Sequence, residues 1–173
     1  ISMGLDVEAV YQRCGIKQAH LNDLALRTPH EGNLVFWRAV EEVTQDPLIG
    51  LHLGQHMPVF KGQVLEYLFL SSSTFGDGLK RALSYQRLLT DAARASLEID
   101  VTSNTACLVA NTLDGPVRNI RQYNECAAIG LIKFFGYVTN NDFKPTAVEL
   151  VSSLPETDSE LQRQDILEEY EQV

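Results

Sequence analysis

The sequence predicts an α+β fold, with a predominantly helical N-terminal half and a small antiparallel sheet covered by helices. Three observations predict it. Apolar residues recur at helical spacing as far as Leu89, the period then switches to alternation at 95–101, and a long helical stretch follows the second strand. Helices grouped before and after a hairpin, rather than alternating with single strands, are the signature of α+β rather than of a parallel α/β sheet.

Leu5, Val7, Val10, Tyr11 and Cys14 share one helical face, and Gly15 is placed to stop that helix. Thr28-Pro29 reads as a cap followed by proline in the first turn, opening a helix with Leu34, Trp37, Val40 and Val43 on one stripe. Asp46-Pro47 repeats the signal and opens a helix that Pro58 closes. Residues 63–70, QVLEYLFL, are apolar nearly all round, which predicts a buried helix ended by Ser71–Ser73. Thr74 with Asp77 three residues later resembles a capping box, for a helix carrying Leu79, Ala82, Leu83, Leu88 and Leu89. Ala95, Leu97, Ile99 and Val101 alternate with polar residues, predicting a half-buried strand. Thr102-Ser103-Asn104 turns the chain into a second strand, TACLVANTL, which Asp114-Gly115-Pro116 ends. Val117, Ile120, Cys126, Ala127, Leu131, Phe134, Phe135 and Val138 then mark a long helix that Asn140-Asn141-Asp142 ends. A third strand is expected at 146–153, TAVELVSS, and a short helix at 165–173.

The 173 residues carry 14 Lys+Arg against 23 Asp+Glu, a net charge of −9. Two-thirds of that excess lies in 156–173, where seven carboxylates face Arg163 alone. An acidic chain without a basic stripe is unsuited to holding nucleic acid by itself, since phosphate binding rests on Lys and Arg. No apolar run approaches the ~20 residues of a membrane span. The N-terminus lacks the basic start and apolar run of a secretion signal, so a cytoplasmic location and no membrane partner are expected. Cys14, Cys107 and Cys126 are widely spaced, which predicts reduced thiols.

Motifs for catalysis are missing from the pattern. His52 and His56 share a helix face, but Leu53 stands where the metalloprotease motif has Glu, and no third ligand lies near. Gly76-Asp77-Gly78 lacks the Lys-Ser/Thr of a phosphate loop, and the serine run has no nucleophile-elbow pattern. No enzyme activity, metal or cofactor is therefore expected. Tyr67, Tyr85 and Asn111 are polar groups set in apolar stretches. They are the candidate ligand contacts of a pocket between the 65–89 helices and the sheet, where apolar walls with a few oriented polar groups suit a small molecule.

The stretches DPLIGLHLGQHM at 46–57 and LEYLFLSSSTFGDGLKRALSYQRLLTDA at 65–92 carry a resemblance, together with the later helix and strand. From about Val35 to Ser153 the chain resembles the N-terminal regulatory, arabinose-binding-like domain of AraC/XylS-type bacterial transcriptional regulators. Within the motifs, Gly50 and Gly54 permit close helix contact and Thr74 caps the next helix. The resemblance implies a module that senses an unidentified small-molecule effector and forms a homodimer. It also implies DNA binding only through a separate C-terminal pair of helix-turn-helix motifs, absent from these residues. The arabinose regulator's own sensor is a jelly roll, whereas about three strands are expected here, so the sugar does not transfer with the family.

On this reading residues 1–164 form the sensing domain, and 165–173 begin a linker helix toward the DNA-binding part. Ile166, Tyr170 and Val173 fall at i, i+4 and i+7, an apolar edge suited to a linker or dimer contact. The competing reading is a stand-alone small-molecule-binding or protein-interaction domain.

Overall fold

The computed structural model describes residues 4–21, 29, 32–90, 93–112, 120–157 and 159–172. In chain order the elements are α1 (Val7–Cys14), α2 (Gln18–Leu21), α3 (Gly32–Thr44), α4 (Ile49–His56), α5 (Val64–Leu70) and α6 (Phe75–Ser84). A 3-10 turn (Gln86–Leu88), β1 (Ala93–Asp100), β2 (Thr105–Thr112), α7 (Arg121–Val138) and α8 (Glu160–Glu171) follow. The α+β class is as expected. The chain divides into two compact units, Ile1–Val59 with Asn119–Val173, and Phe60–Arg118.

In the first unit, local chemistry sets the ends of α1. The Asp6 carboxylate accepts from the Ala9 N–H at 3.0 Å, and Gly15, at φ +66°, takes the left-handed turn that closes the helix. Val10 packs into a core with Ala39 and Val40 of α3 and Ile49 of α4. The helix after Pro47 begins later than Asp46-Pro47 suggests. Asp46 accepts from the Leu48 N–H at 2.8 Å, a turn ahead of α4 rather than a cap on it. Thr28 lies outside the described residues.

Helix α4 lies across α7 at backbone distance. A Cβ on Gly50 would sit 2.5 Å from the Gln122 Cα, and one on Gly54 would sit 2.9 Å from the Ile129 Cβ. The close approach lets Lys133 of α7 donate to the carbonyls of Gly54, Gln55 and Met57. A cation on the free carbonyls at the end of α4 is favoured by both hydrogen bonding and the helix dipole. Asn140 and Asn141, at φ 53° and 66°, end α7 as expected.

In the second unit, Gln63 and Glu66 form a capping box on α5, and Thr74 accepts from the Asp77 N–H at 3.1 Å to start α6. Phe69 is the residue of α5 that is buried; Val64, Tyr67 and Leu70 are exposed. The expectation of a buried α5 is thus corrected: seven residues packed on α6 have one covered face, whatever the composition of the others. The helix starting at Phe75 stops at Ser84, short of Leu88 and Leu89, and the chain tightens into the 3-10 turn. Gln86 there pairs with the β1 backbone, donating to the Ala95 carbonyl at 3.0 Å and accepting from its N–H at 2.6 Å. β1 and β2 pair antiparallel from Ala93↔Thr112 to Asp100↔Thr105. Asp100 accepts from the Thr102 and Ser103 backbones and the Ser103 hydroxyl across the turn.

The described sheet has two strands, and the third strand expected at 146–153 does not form. Val151 is 83% exposed. Alternation and β-branched residues favour a strand only when a neighbouring strand takes up the backbone groups, so the pattern alone does not make one.

Candidate functional site

The densest polar chemistry of the first unit lies where α8 meets α4 and α7. Glu125, on the inward face of α7, is 0% exposed. Its Oε1 accepts from Arg121 Nη1 at 3.1 Å, one helical turn earlier, and from the Tyr170 hydroxyl of α8. Its Oε2 has no hydrogen-bond partner among the described residues and lies beside Gly50, where a Cβ would come within 2.6 Å of it. Glu41 of α3 extends the network, 3.9 Å from Arg121 Nη2 and accepting from the Gln122 side chain. Burial raises the Glu125 pKa, although Tyr170 and Arg121 work against the shift. Burial also pushes the Tyr170 phenol up to about 12, reinforced by its bond to Glu125.

A second polar contact flanks the first. His52 of α4 has Nδ1 2.6 Å from Asp46 Oδ2 and Nε2 2.8 Å from Glu169 Oε2 of α8. Burial would lower its pKa, but hydrogen bonds and charge from the two carboxylates outweigh that and raise it. Between these contacts, Ile166 and Tyr170 pack on Leu48, which caps α4, on Leu51 of α4 and on Ile129 of α7. The apolar edge at Ile166 and Tyr170 is therefore covered by this unit's own helices; Val173 lies outside the described residues.

The Tyr170 phenol donates to Glu125 and its pKa is raised, so it is held as the neutral hydroxyl rather than activated as a nucleophile. Among the described residues, no three His, Cys, Asp or Glu groups gather to hold a metal, and no helix is long and apolar enough to cross a membrane. The network's chemistry is that of a joint, binding α8 through one buried carboxylate and one imidazole. A shallow groove of about 410 Å³ borders this network at Glu41 and is lined also by Arg38, Glu42, Gln45 and Pro47.

The three candidate ligand contacts all lie in the second unit. Tyr67, 58% exposed on α5, stands edge-on to Phe60 with ring centroids 5.2 Å apart. Tyr85, 53% exposed, closes α6, and Asn111 is opposite Arg94 in the hairpin and also exposed. No described hydrogen bond joins any two of them.

Sequence reasoning passes over Glu125, Arg121 and Lys133, and gives Asp46 only the role of a helix cap. Glu125 had a signal, since it falls on the same face of α7 as apolar residues one turn away, with Arg121 four residues before it. Nothing in the order of residues ties Asp46 to Glu169.

A family model described as the arabinose-binding domain of AraC transcription regulators, N-terminal, matches residues 4–164. The chain belongs to that family, a regulatory ligand-binding domain, and the match is wider than the motifs at 46–57 and 65–92 alone. No curated protein matches the chain as a relative.

Proposed function

We propose that this chain is the effector-sensing and dimerisation domain of a cytoplasmic, AraC/XylS-type transcriptional regulator, without enzymatic activity, whose DNA-binding part lies outside these residues. The observation that carries the reading is the family match over residues 4–164. An effector that binds one arrangement of the domain better than another shifts their populations, and with them the presentation of paired DNA-binding domains. A two-fold dimer would match two operator half-sites. The acidic character of the chain supports placing DNA contact in another segment. Tyr67, Tyr85 and Asn111 are the effector contacts in this reading, on a unit whose exposed tyrosines offer ring faces and hydroxyls to a small molecule.

The test is a thermal-shift screen of amino acids, sugars, fatty acids and quorum-type signals, because a ligand of the native state raises the melting temperature. A hit is carried into promoter-DNA binding by the complete gene product, with sedimentation to measure dimerisation. Ligand-dependent promoter binding by a dimer is the expected result. A complete product with no pair of helix-turn-helix motifs, or one that ignores promoter DNA, refutes the proposal. A confirmed ligand whose response survives substitution of all three residues removes them from the site.

A further inference from the structure

Helix α8 is weakly made and locally held. It spans 12 residues, its Ser159 cap makes no side-chain hydrogen bond, and none of its residues is fully buried. A helix of that length is marginal on its own in water. Five carboxylates (Glu160, Asp165, Glu168, Glu169 and Glu171) accompany the single cation Arg163. What anchors it is the pair Ile166 and Tyr170 on Leu48, Leu51 and Ile129, the Tyr170 hydroxyl on Glu125, and Glu169 on His52.

The His52 contact has a specific proton requirement. Both ring nitrogens lie within hydrogen-bond distance of carboxylate oxygens, and an ionised carboxylate only accepts. A neutral imidazole has one N–H and can serve one of the two; only the imidazolium donates to both. We propose that α8 is a proton-controlled latch, closed on α4 and α7 while the His52 imidazolium donates to both Asp46 and Glu169, and loosened when that proton leaves.

The groups around His52 agree. Asp46 comes from the turn before α4 and Glu169 from α8; on α4 itself, His56 Nδ1 lies 2.8 Å from the His52 carbonyl oxygen. From α7, which packs on α4, Lys133 is spent on the carbonyls at 54, 55 and 57, while Arg121 and Glu125 pair with each other. The charges that act on the imidazole are thus Asp46 and Glu169. Burial opposes its charge, yet the pKa is raised above the ordinary 6.5. A pKa raised by docking means that the contact is complete below 6.5 and is lost as pH rises through the raised value. Opening bares Leu48, Leu51 and Ile129 and frees the end of the chain past residue 164, where the family match stops. The inference stands apart from the proposed function, since it needs neither an effector nor DNA.

Hydrogen exchange read by mass spectrometry tests it on the 173-residue chain. Rates are corrected for intrinsic exchange, from about pH 5.5 to about pH 8.5, a range that brackets imidazole titration. In the wild type, opening of 160–171 should increase about two- to fivefold with pH, the range for partly exposed ion pairs, while 121–138 stays protected. Glu169→Gln should open α8 at low pH and flatten the response; Glu169 is half-exposed, so the fold survives the change. Tyr170→Phe should loosen α8 at every pH and leave the slope intact. Wild-type protection of α8 that ignores pH, or a Glu169→Gln variant that keeps the full response, overturns the latch.

Discussion

Replacing Gly50 by alanine puts the α4–α7 crossing to a direct test. The new Cβ would lie 2.5 Å from the Gln122 Cα and 2.6 Å from Glu125 Oε2, and it would also collide with the Gln122 carbonyl oxygen. Two of these three obstructions are backbone, so a rotamer change cannot relieve them and the two helices must separate. Overpacking costs about 1–3 kcal/mol, and a backbone clash belongs at the upper end of that range. Alanine's better helix propensity offsets about 1 kcal/mol. The expected net loss is therefore about 2 kcal/mol, a fall in melting temperature of roughly 4–8 °C for a chain of this size. Gly136→Ala on the same α7 is the control. Its Cβ would meet Asn141 Oδ1 at 3.5 Å, an ordinary contact, so the propensity gain stands and stability should hold or rise. Thermal and urea melts followed by far-UV circular dichroism measure both variants. A Gly50→Ala protein as stable as wild type would refute the glycine-mediated crossing and the burial of Glu125 that goes with it.

Removing the Lys133 ammonium as Lys133→Met keeps much of the stem but leaves the carbonyls of Gly54, Gln55 and Met57 without their cation. A loss of about 1–2 kcal/mol in urea unfolding is expected. Tyr170→Phe takes one hydrogen bond from the buried Glu125 and should cost about 1 kcal/mol, measured the same way. Alkaline titration followed by tyrosinate absorbance should show a step near pH 12 that Tyr170→Phe lacks. Because folding raises that pKa, the Tyr170 contribution is complete below the ordinary value of 10.0 and is lost as pH climbs toward 12.

Much of the local structure was legible because its causes are short-range. Gly15 ends α1, Thr74 with Asp77 starts α6, and Thr102-Ser103-Asn104 turns the hairpin, each through contacts within about four residues in sequence. The glycines at 50 and 54 also announced a close helix contact, although not which helix would make it. The α5 segment shows the limit of composition: its apolar residues are present, but burial depends on having neighbours on every side.

Taken alone, the sequence determined the α+β class, the order of helices and hairpin, the acidity of the tail and the family. Each of these depends on spacing, capping, charge counts or motifs that travel with the chain. Only the tertiary structure decided that, among the described residues, 146–153 joins no sheet and one oxygen of the buried Glu125 has no partner, and that Ile166 and Tyr170 close on α4 and α7. It alone brought Asp46, His52 and Glu169 together, the last 117 residues from the imidazole it meets. Such contacts form between surfaces that exist only after the helices have packed, and no local pattern encodes which surfaces will meet.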